Sequence, residues 1–479
     1  MTSRSSGTIA AILAATAVGC APKVQYTRPE APAVAEYKEN AGWKQAAPGD
    51  ALVRGAWWEV FGDPALNDLE SRITLSNQNL KAAQAQFDQA RAAVRVDRAG
   101  LYPTVQSTPA IAVASASQNR ASPGAKGTYA DYLLPVDVSY EADVWGRVRA
   151  TVAASRAFAQ ASAADVESVG LSLRAELAVD YFVLRGLDAE KQLLDTTVTA
   201  YQRALELTAS RYRGGIASAA DVAQAETQLQ TTRAQAVDVL VQRALTEHAI
   251  AVLVGQPAST FSLPPVPLTL SPPPVPTGVP STLLERRPDI AGAERRVASA
   301  NGQVGVAQAA FYPVISLNGV GGVASASLSS LFAGPSAFWA VGPAAVATLF
   351  DSGRRHAVTD EARAAYRQTV ASYQESVLVA FQEVEDNLAT LRLLDEEASI
   401  QAAAVDAAER SLTLATNRYR GGVATYLEVI AAQSFALSNQ RTALSVLVRR
   451  LTSSVLLIKA LGGGWDASLL PQAEAVSSR

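Results

Sequence analysis

Two histidines and one cysteine in 479 residues leave little material for covalent or metal chemistry. His248 sits in a helical Ala/Leu context and His356 follows Arg354-Arg355 at the start of a helical stretch, so both read as surface or packing residues. No metal cluster or Cys/His nucleophile pair can be assembled from that inventory. Gly319 to Gly322 falls within a strand-like stretch and lacks the following helix that a phosphate-cradling loop requires. An enzyme is therefore not expected. What does recur is an Arg-Tyr-Arg-Gly-Gly turn. Arg211-Tyr212-Arg213-Gly214-Gly215-Ile216-Ala217-Ser218 returns as Arg418-Tyr419-Arg420-Gly421-Gly422-Val423-Ala424-Thr425, 207 residues later, and each copy is followed by an acidic residue, Asp221 or Glu428. The glycines suit a helix stop that needs positive φ.

Cys20 has a separate chemistry. Arg4, an apolar run from Ile9 to Val18 and small residues up to Gly19 precede it. That pattern is a secretory signal peptide over 1–19, too short to span a membrane as a helix. Its ending, Ala17-Val18-Gly19-Cys20, resembles a bacterial lipobox, in which the cysteine becomes the lipid-bearing first residue of the mature chain. Ala21 is not the aspartate that holds lipoproteins at the inner membrane, so the resemblance implies the outer membrane. Each buried methylene of such an anchor is worth about 0.8 kcal/mol.

The echo around the turn extends over the whole chain. Leu101-Tyr102-Pro103 returns as Phe311-Tyr312-Pro313, Gly146-Arg147 as Gly353-Arg354, and Leu184-Arg185 as Leu391-Arg392. A period this long is a duplicated domain, not a solenoid unit. The expected division is an extended segment at 20–62, a first repeat at 63–256, a Pro-rich linker at 257–280, a second repeat at 281–462 and a flexible tail at 463–479. Net charge is −3, which implies no nucleic-acid surface.

Within each repeat the periodicities are distinct. Asp63-Pro64 opens a helix with the proline at its first position, and a break is expected near Ser76 to Asn79. From Leu134 to Trp145, aliphatic residues alternate with Asp137, Ser139, Glu141 and Asp143, which predicts a strand with one apolar and one polar side. A hairpin is expected over about 103–145 and another over about 313–350. Some 65 proline-free residues then run to Arg213, with apolar positions at Val166, Val169, Leu173, Leu177, Tyr181 and Leu184. That spacing is helical, and such a helix would be about 95 Å long. The two turns, about 211–221 and 418–428, reverse the chain into return helices.

Strands with aliphatic residues on one side and Asp, Ser and Glu on the other suit a water-filled transmembrane barrel, in which every backbone polar group must be paired. A soluble sandwich hairpin is the alternative. Four strands cannot close a barrel, because the smallest have eight. Three chains of four would make twelve. The expected fold class is thus a mixed α+β membrane protein: a trimeric twelve-stranded β-barrel continued by a long α-helical coiled-coil barrel.

Together these residues resemble the TolC-like outer membrane factor family of tripartite efflux systems, in its lipoprotein branch. The resemblance rests on Trp57-Trp58-Glu59-Val60-Phe61-Gly62-Asp63-Pro64-Ala65-Leu66, on Ser139 to Arg147, and above all on Leu284-Glu285-Arg286-Arg287-Pro288-Asp289-Ile290. It implies a homotrimer that passively conducts small toxic compounds and works with a periplasmic adaptor and an inner-membrane RND-type pump. No cofactor is implied beyond the lipid on Cys20. A conduit for protein secretion by a type I system is the alternative within this resemblance, and a purely structural periplasmic lipoprotein is the alternative outside it.

Carried over residue by residue, the resemblance implies that Arg211, Gly215, Ser218, Arg418, Gly422 and Thr425 face the adaptor. Asp221 and Tyr419 match positions whose hydrogen bonds hold the periplasmic tip closed, and Glu428 matches an acidic position lining the constriction. Three copies of Glu428 around one axis would repel one another and favour cations. Ala431 and Ala424 stand where relatives often carry further charges, which implies a gate sealed more by apolar contacts.

Overall fold

A computed structural model describes residues 26–32, 37–39, 56–115, 128–273 and 283–477. The signal segment, Cys20 and the first hairpin loop around Pro123-Gly124 lie outside the described residues.

Each repeat has the same order of elements. The first comprises α1 (Pro64–Ser76), α2 (Gln78–Ala99), β1 (Thr104–Gln106), β2 (Ala110–Ser115), β3 (Thr128–Ala142), α3 (Arg147–Arg213) and α4 (Ala219–Leu253). The second comprises α5 (Leu283–Arg286), α6 (Pro288–Ala309), β4 (Val314–Ser325), β5 (Ala337–Val346), α7 (Arg354–Arg420) and α8 (Tyr426–Ala460). Helices α3 and α7 are each 67 residues, about 100 Å of straight helix. No helix among the described residues is long and apolar enough to cross a membrane.

One antiparallel sheet runs in the order β1-β3-β4-β5, and β2 pairs with the same edge of β3 as β1. Five strands therefore form four ribbons. The interruption between β1 and β2 lies opposite Pro135, which has no N–H to offer, and the Ser107 hydroxyl donates to the Pro135 carbonyl at 2.6 Å. The register places Val105, Ile111, Val113, Leu134, Val136 and Val138 on one face with Val323, Trp339 and Val341. Asp137, Ser139, Glu141, Ser316 and Asn318 share the other face, where the Ser139 hydroxyl donates to Asn318 Oδ1 at 3.1 Å.

The expected strand to Trp145 ends earlier, at Ala142. Asp143 leaves the ladder because its carboxylate accepts the backbone N–H groups of Val148 and Arg149, at 3.0 and 2.9 Å, and so starts α3. Helix capping outweighs alternation at that position. Trp145 stacks on Tyr312 and donates to the Pro313 carbonyl at 2.7 Å, which ties the first repeat to the second below the sheet.

The two repeats are locked at mid-height by the same device. The expected break near Ser76 is Asn77, whose Oδ1 accepts from Leu80 N at 3.0 Å while its Nδ2 donates to the Leu253 carbonyl at the end of α4. In the second repeat Arg287 occupies this place. Its guanidinium donates to the Ala460 carbonyl at 3.1 Å, to Asp289 and to Glu383. Each return helix then ends in a positive-φ glycine, Gly255 or Gly462, so close to the carbonyl oxygen of Ser76 or Arg286 that a Cβ would lie 2.4 or 2.0 Å from it. Only glycine fits that approach.

Trp57, Phe61, Leu66, Tyr181, Phe182 and Leu388 share the main core at this level. The described part of the Pro-rich connector lies on the same core, held by Asp188. That carboxylate accepts from Arg185 at 2.9 Å, Arg243 at 2.7 Å and the Val266 N–H at 3.0 Å. Arg185 and Arg243 in turn donate to the carbonyls of Pro264 and Leu263. At the N-terminus, Tyr37 is buried and the backbone N–H groups of Lys38 and Glu39 donate to Glu385. The tail beyond Gly462, expected to be loose, is packed down: Trp465 is buried and Val476 inserts among Ala90, Val94 and Ala159. Two well-spaced apolar residues suffice to hold it, a signal too sparse for periodicity to register.

Candidate functional site: the paired turns at the helical tip

At the end of the helices remote from the sheet, the two Arg-Tyr-Arg-Gly-Gly turns meet. Both are built alike. After α3, the Gly214 N–H donates to the Ser210 carbonyl at 3.1 Å, and Gly215 at φ +75° redirects the chain so that the Ile216 N–H reaches the Arg211 carbonyl at 2.8 Å. After α7, Gly421 donates to the Asn417 carbonyl at 2.9 Å, and Gly422 at φ +76° lets the Val423 N–H reach the Arg418 carbonyl at 3.0 Å. This is a Schellman-type stop in each case. A Cβ on Gly215 or Gly422 would meet open space, so conformation alone demands glycine there.

Six of the expected residues turn out to be joined in pairs or across the turns. Ser218 and Asp221 form a capping box: the Asp221 N–H donates to Ser218 Oγ at 3.1 Å and the Ser218 N–H donates to Asp221 Oδ2 at 2.8 Å. Within the chain Asp221 therefore starts α4 and is not joined to Tyr419. The Tyr419 hydroxyl instead donates to Thr208 Oγ1 at 3.4 Å, because its ring is turned inward among Ala225, Tyr426 and Val429. The Asp221 carboxylate is thereby engaged by the Ser218 N–H at the start of its own helix.

Arg211 does not project freely. Its Nη1 donates to the Tyr419 carbonyl at 2.7 Å, its Nη2 to the Arg420 carbonyl at 3.3 Å, and its guanidinium lies 4.6 Å from the Tyr419 ring centre. The first turn thus clasps the second through a cation stacked on an aromatic face, where two carbonyl ends of α7 also attract positive charge. Arg418 and Glu428 form an ion pair at 3.4 Å, both substantially exposed. Thr425 precedes α8 without a side-chain cap bond. Gly215, Gly422 and Thr425 are exposed, and beside them Ile216, Val423 and Leu427 present bare aliphatic side chains.

Sequence reasoning missed Tyr426, Thr208 and the bond from Arg211 to the second turn. Burial pushes the Tyr426 hydroxyl up to about 12, with Tyr419, Tyr201 and Asp221 adding to the effect, so it is neutral at physiological pH. Its ring lies 5.2 Å from that of Tyr419. The Arg-Tyr doublet was visible, but only the meeting of the two turns in the folded chain selects which of the two doublets pairs inside one chain. His248 lies exposed on α4, and His356 packs edge-on to Phe311 at 4.9 Å, one a surface residue and the other a packing residue.

The comparisons with known proteins agree with this architecture. Residues 69–256 and 279–463 match the model of the outer membrane efflux protein family. The chain belongs to the outer membrane efflux protein family. It is 32% identical to the toluene efflux pump outer membrane protein TtgC of Pseudomonas putida over 450 residues, 93% of either chain. It is also 32% identical to the pyoverdine export outer membrane protein OpmQ of Pseudomonas aeruginosa, covering 89% of this chain and 91% of that one. Among solved structures, the outer-membrane channel OprN superposes with a TM-score of 0.87 at 28% identity, over 93% of this chain and all of that one. CusC superposes with a TM-score of 0.82 at 27% identity, again over 93% of this chain and all of that one. This family member is an outer membrane protein whose described fold is that of TolC-like channels, mostly helical with one sheet.

Proposed function

We propose that three copies share one cylinder and serve as the passive outer membrane conduit of a tripartite efflux system for small toxic compounds. The observation that carries this reading is the sheet. Among the described residues its four ribbons have unpaired outer edges at β5 and at β1/β2, one aliphatic face and one polar face. An open edge in lipid leaves several kcal/mol per unpaired group, and closure with further copies removes it. Three copies give about twelve strands, enough for a lumen lined by Asp137, Ser139, Glu141 and Asn318. The two 67-residue helices then continue the passage for about 100 Å.

The bare Ile216, Val423 and Leu427 at the tip, with Gly215, Ser218, Gly422 and Thr425 beside them, are the surface that receives a periplasmic adaptor, itself joined to an inner-membrane RND-type pump. Glu428 is the acidic group at the narrow end, with Arg418 moderating its charge. Cys20 carries the lipid anchor. Efflux relatives such as TtgC and OpmQ support export of small molecules over protein secretion.

Purified protein in detergent should have the mass of three chains by light scattering and should conduct ions in planar bilayers. A compact monomer, or a trimer without conductance, refutes the reading. A deletion strain should become sensitive to solvents or antibiotics while its secreted proteins are unchanged.

A further inference from the structure

The duplication places one half of a contact on each side of the chain. Inside the chain, Arg211 binds the Tyr419 carbonyl and stacks on the Tyr419 ring. The residues 207 positions away from this pair are Arg418 and Tyr212, the same two side-chain types in the same turn geometry. They do not meet within the chain. The Arg418 side chain is 59% exposed and ion-paired with Glu428, and Tyr212 is 48% exposed.

We propose that Arg418 of one copy clasps Tyr212 of a second copy at the tip, repeating between chains the bond that Arg211 makes to Tyr419 within one. The proposal rests on the ring of copies argued above. In such a ring the repeats alternate, so a first repeat meets a second repeat on both its sides, once within the chain and once across a seam. Symmetry of fold then presents the same faces at both contacts. Three features favour a second copy over another partner: the complementary pair is already realised once, the turns that carry it have matching backbone bonds, and open sheet edges at the opposite end require the same neighbour.

The two contacts are not equal. Tyr419 is anchored by Thr208 and packed against Tyr426, whereas the corresponding neighbours of Tyr212 are Ala415 and Ala219, which offer neither a hydroxyl nor a ring. Arg418 also has an alternative partner in Glu428 of its own chain. The seam between copies is therefore the weaker of the two clasps, and the tip opens there. Arg418 exchanging between the neighbour's Tyr212 and its own Glu428 is the movement.

Chains with one added cysteine test this directly. Tyr212→Cys and Arg418→Cys chains, each with Cys20 retained for its lipid, are produced together and treated with a short bis-maleimide. A band of two chain masses is expected from the mixed population and from neither chain alone. A trimer by light scattering without that band overturns the clasp and leaves the ring intact. A monomer overturns both. As a check independent of new cysteines, Arg418→Ala, Tyr212→Ala and the double variant are recorded in planar bilayers. Each single variant should raise conductance, and the double variant should conduct no more than either. Additive increases, or none, overturn the proposal.

Discussion

Asp188 and Asp395 occupy the same place in the two repeats, 207 residues apart, and each pairs with an arginine of the return helix, Arg243 or Arg450. Their surroundings are opposite. The Asp188 side chain is 2% exposed and holds Arg185, Arg243 and the Val266 N–H beneath the connector, whereas the Asp395 side chain is 65% exposed. Asp188→Ala removes the common acceptor of the buried Arg185 and the largely buried Arg243 guanidinium groups and should destabilise this region by about 3–5 kcal/mol. Asp395→Ala breaks a solvent-screened pair and should cost about 0–1 kcal/mol. Hydrogen exchange gives a clean local reading at Leu263, whose N–H is bonded to Glu247 at 2.7 Å and not to the substituted residue. Opening of the connector in Asp188→Ala should speed Leu263 exchange on the order of 100-fold or more, since each 1.4 kcal/mol is a factor of ten. Asp395→Ala should leave it unchanged. Equal thermal shifts in the two variants, or an unaltered Leu263 amide in Asp188→Ala, would refute the claim that burial and not residue type sets the strength of this pair.

Glu70 is wholly buried with neither carboxylate oxygen bonded, and burial raises it from the ordinary value of 4.5 to about 9 against a partial opposing pull from Arg174. A raised carboxyl is neutral when folded and ionised when unfolded, so the wild type loses stability as pH climbs from about 4.5 towards 9. Glu70→Gln should gain on the order of 3 kcal/mol at pH 7 and nothing below pH ~4.5, read as the pH dependence of melting; parallel curves would contradict it. Gly186 lies where α3 meets α8, and a Cβ there would stand 2.4 Å from Val448 Cγ2. Gly186→Ala should destabilise by about 1–3 kcal/mol and be rescued by Val448→Ala, an outcome that a mere helix-propensity effect would not produce. Glu428→Ala should abolish block by divalent cations in bilayer recordings, and persistent block would dismiss Glu428 as the lining acid.

Much of the fold was legible because its determinants are local. Proline at the first helical position, the Gly-Gly stops and the change of period after Tyr102-Pro103 and Tyr312-Pro313 each act within a few residues, and the elements fall where those signals stand. Strand ends were less legible. Asp143 satisfies alternation and helix capping equally well as a residue type, and only the path of α3 decides for capping. The tip motif was legible as a turn, and Ser218 with Asp221 is a capping box written in four residues.

What sequence alone determined is the repeated unit: two copies of one string of elements, with matched turns, matched glycines and matched charged residues. Tertiary structure alone decided which member of each matched pair is buried. Asp188 lies under the connector while Asp395 faces solvent, and Arg211 finds Tyr419 while Arg418 is left with Glu428. The reason is physical. A residue's type and spacing set what it can bond, but the strength of a charge pair depends on the water around it, and that depends on which distant segment folds across it.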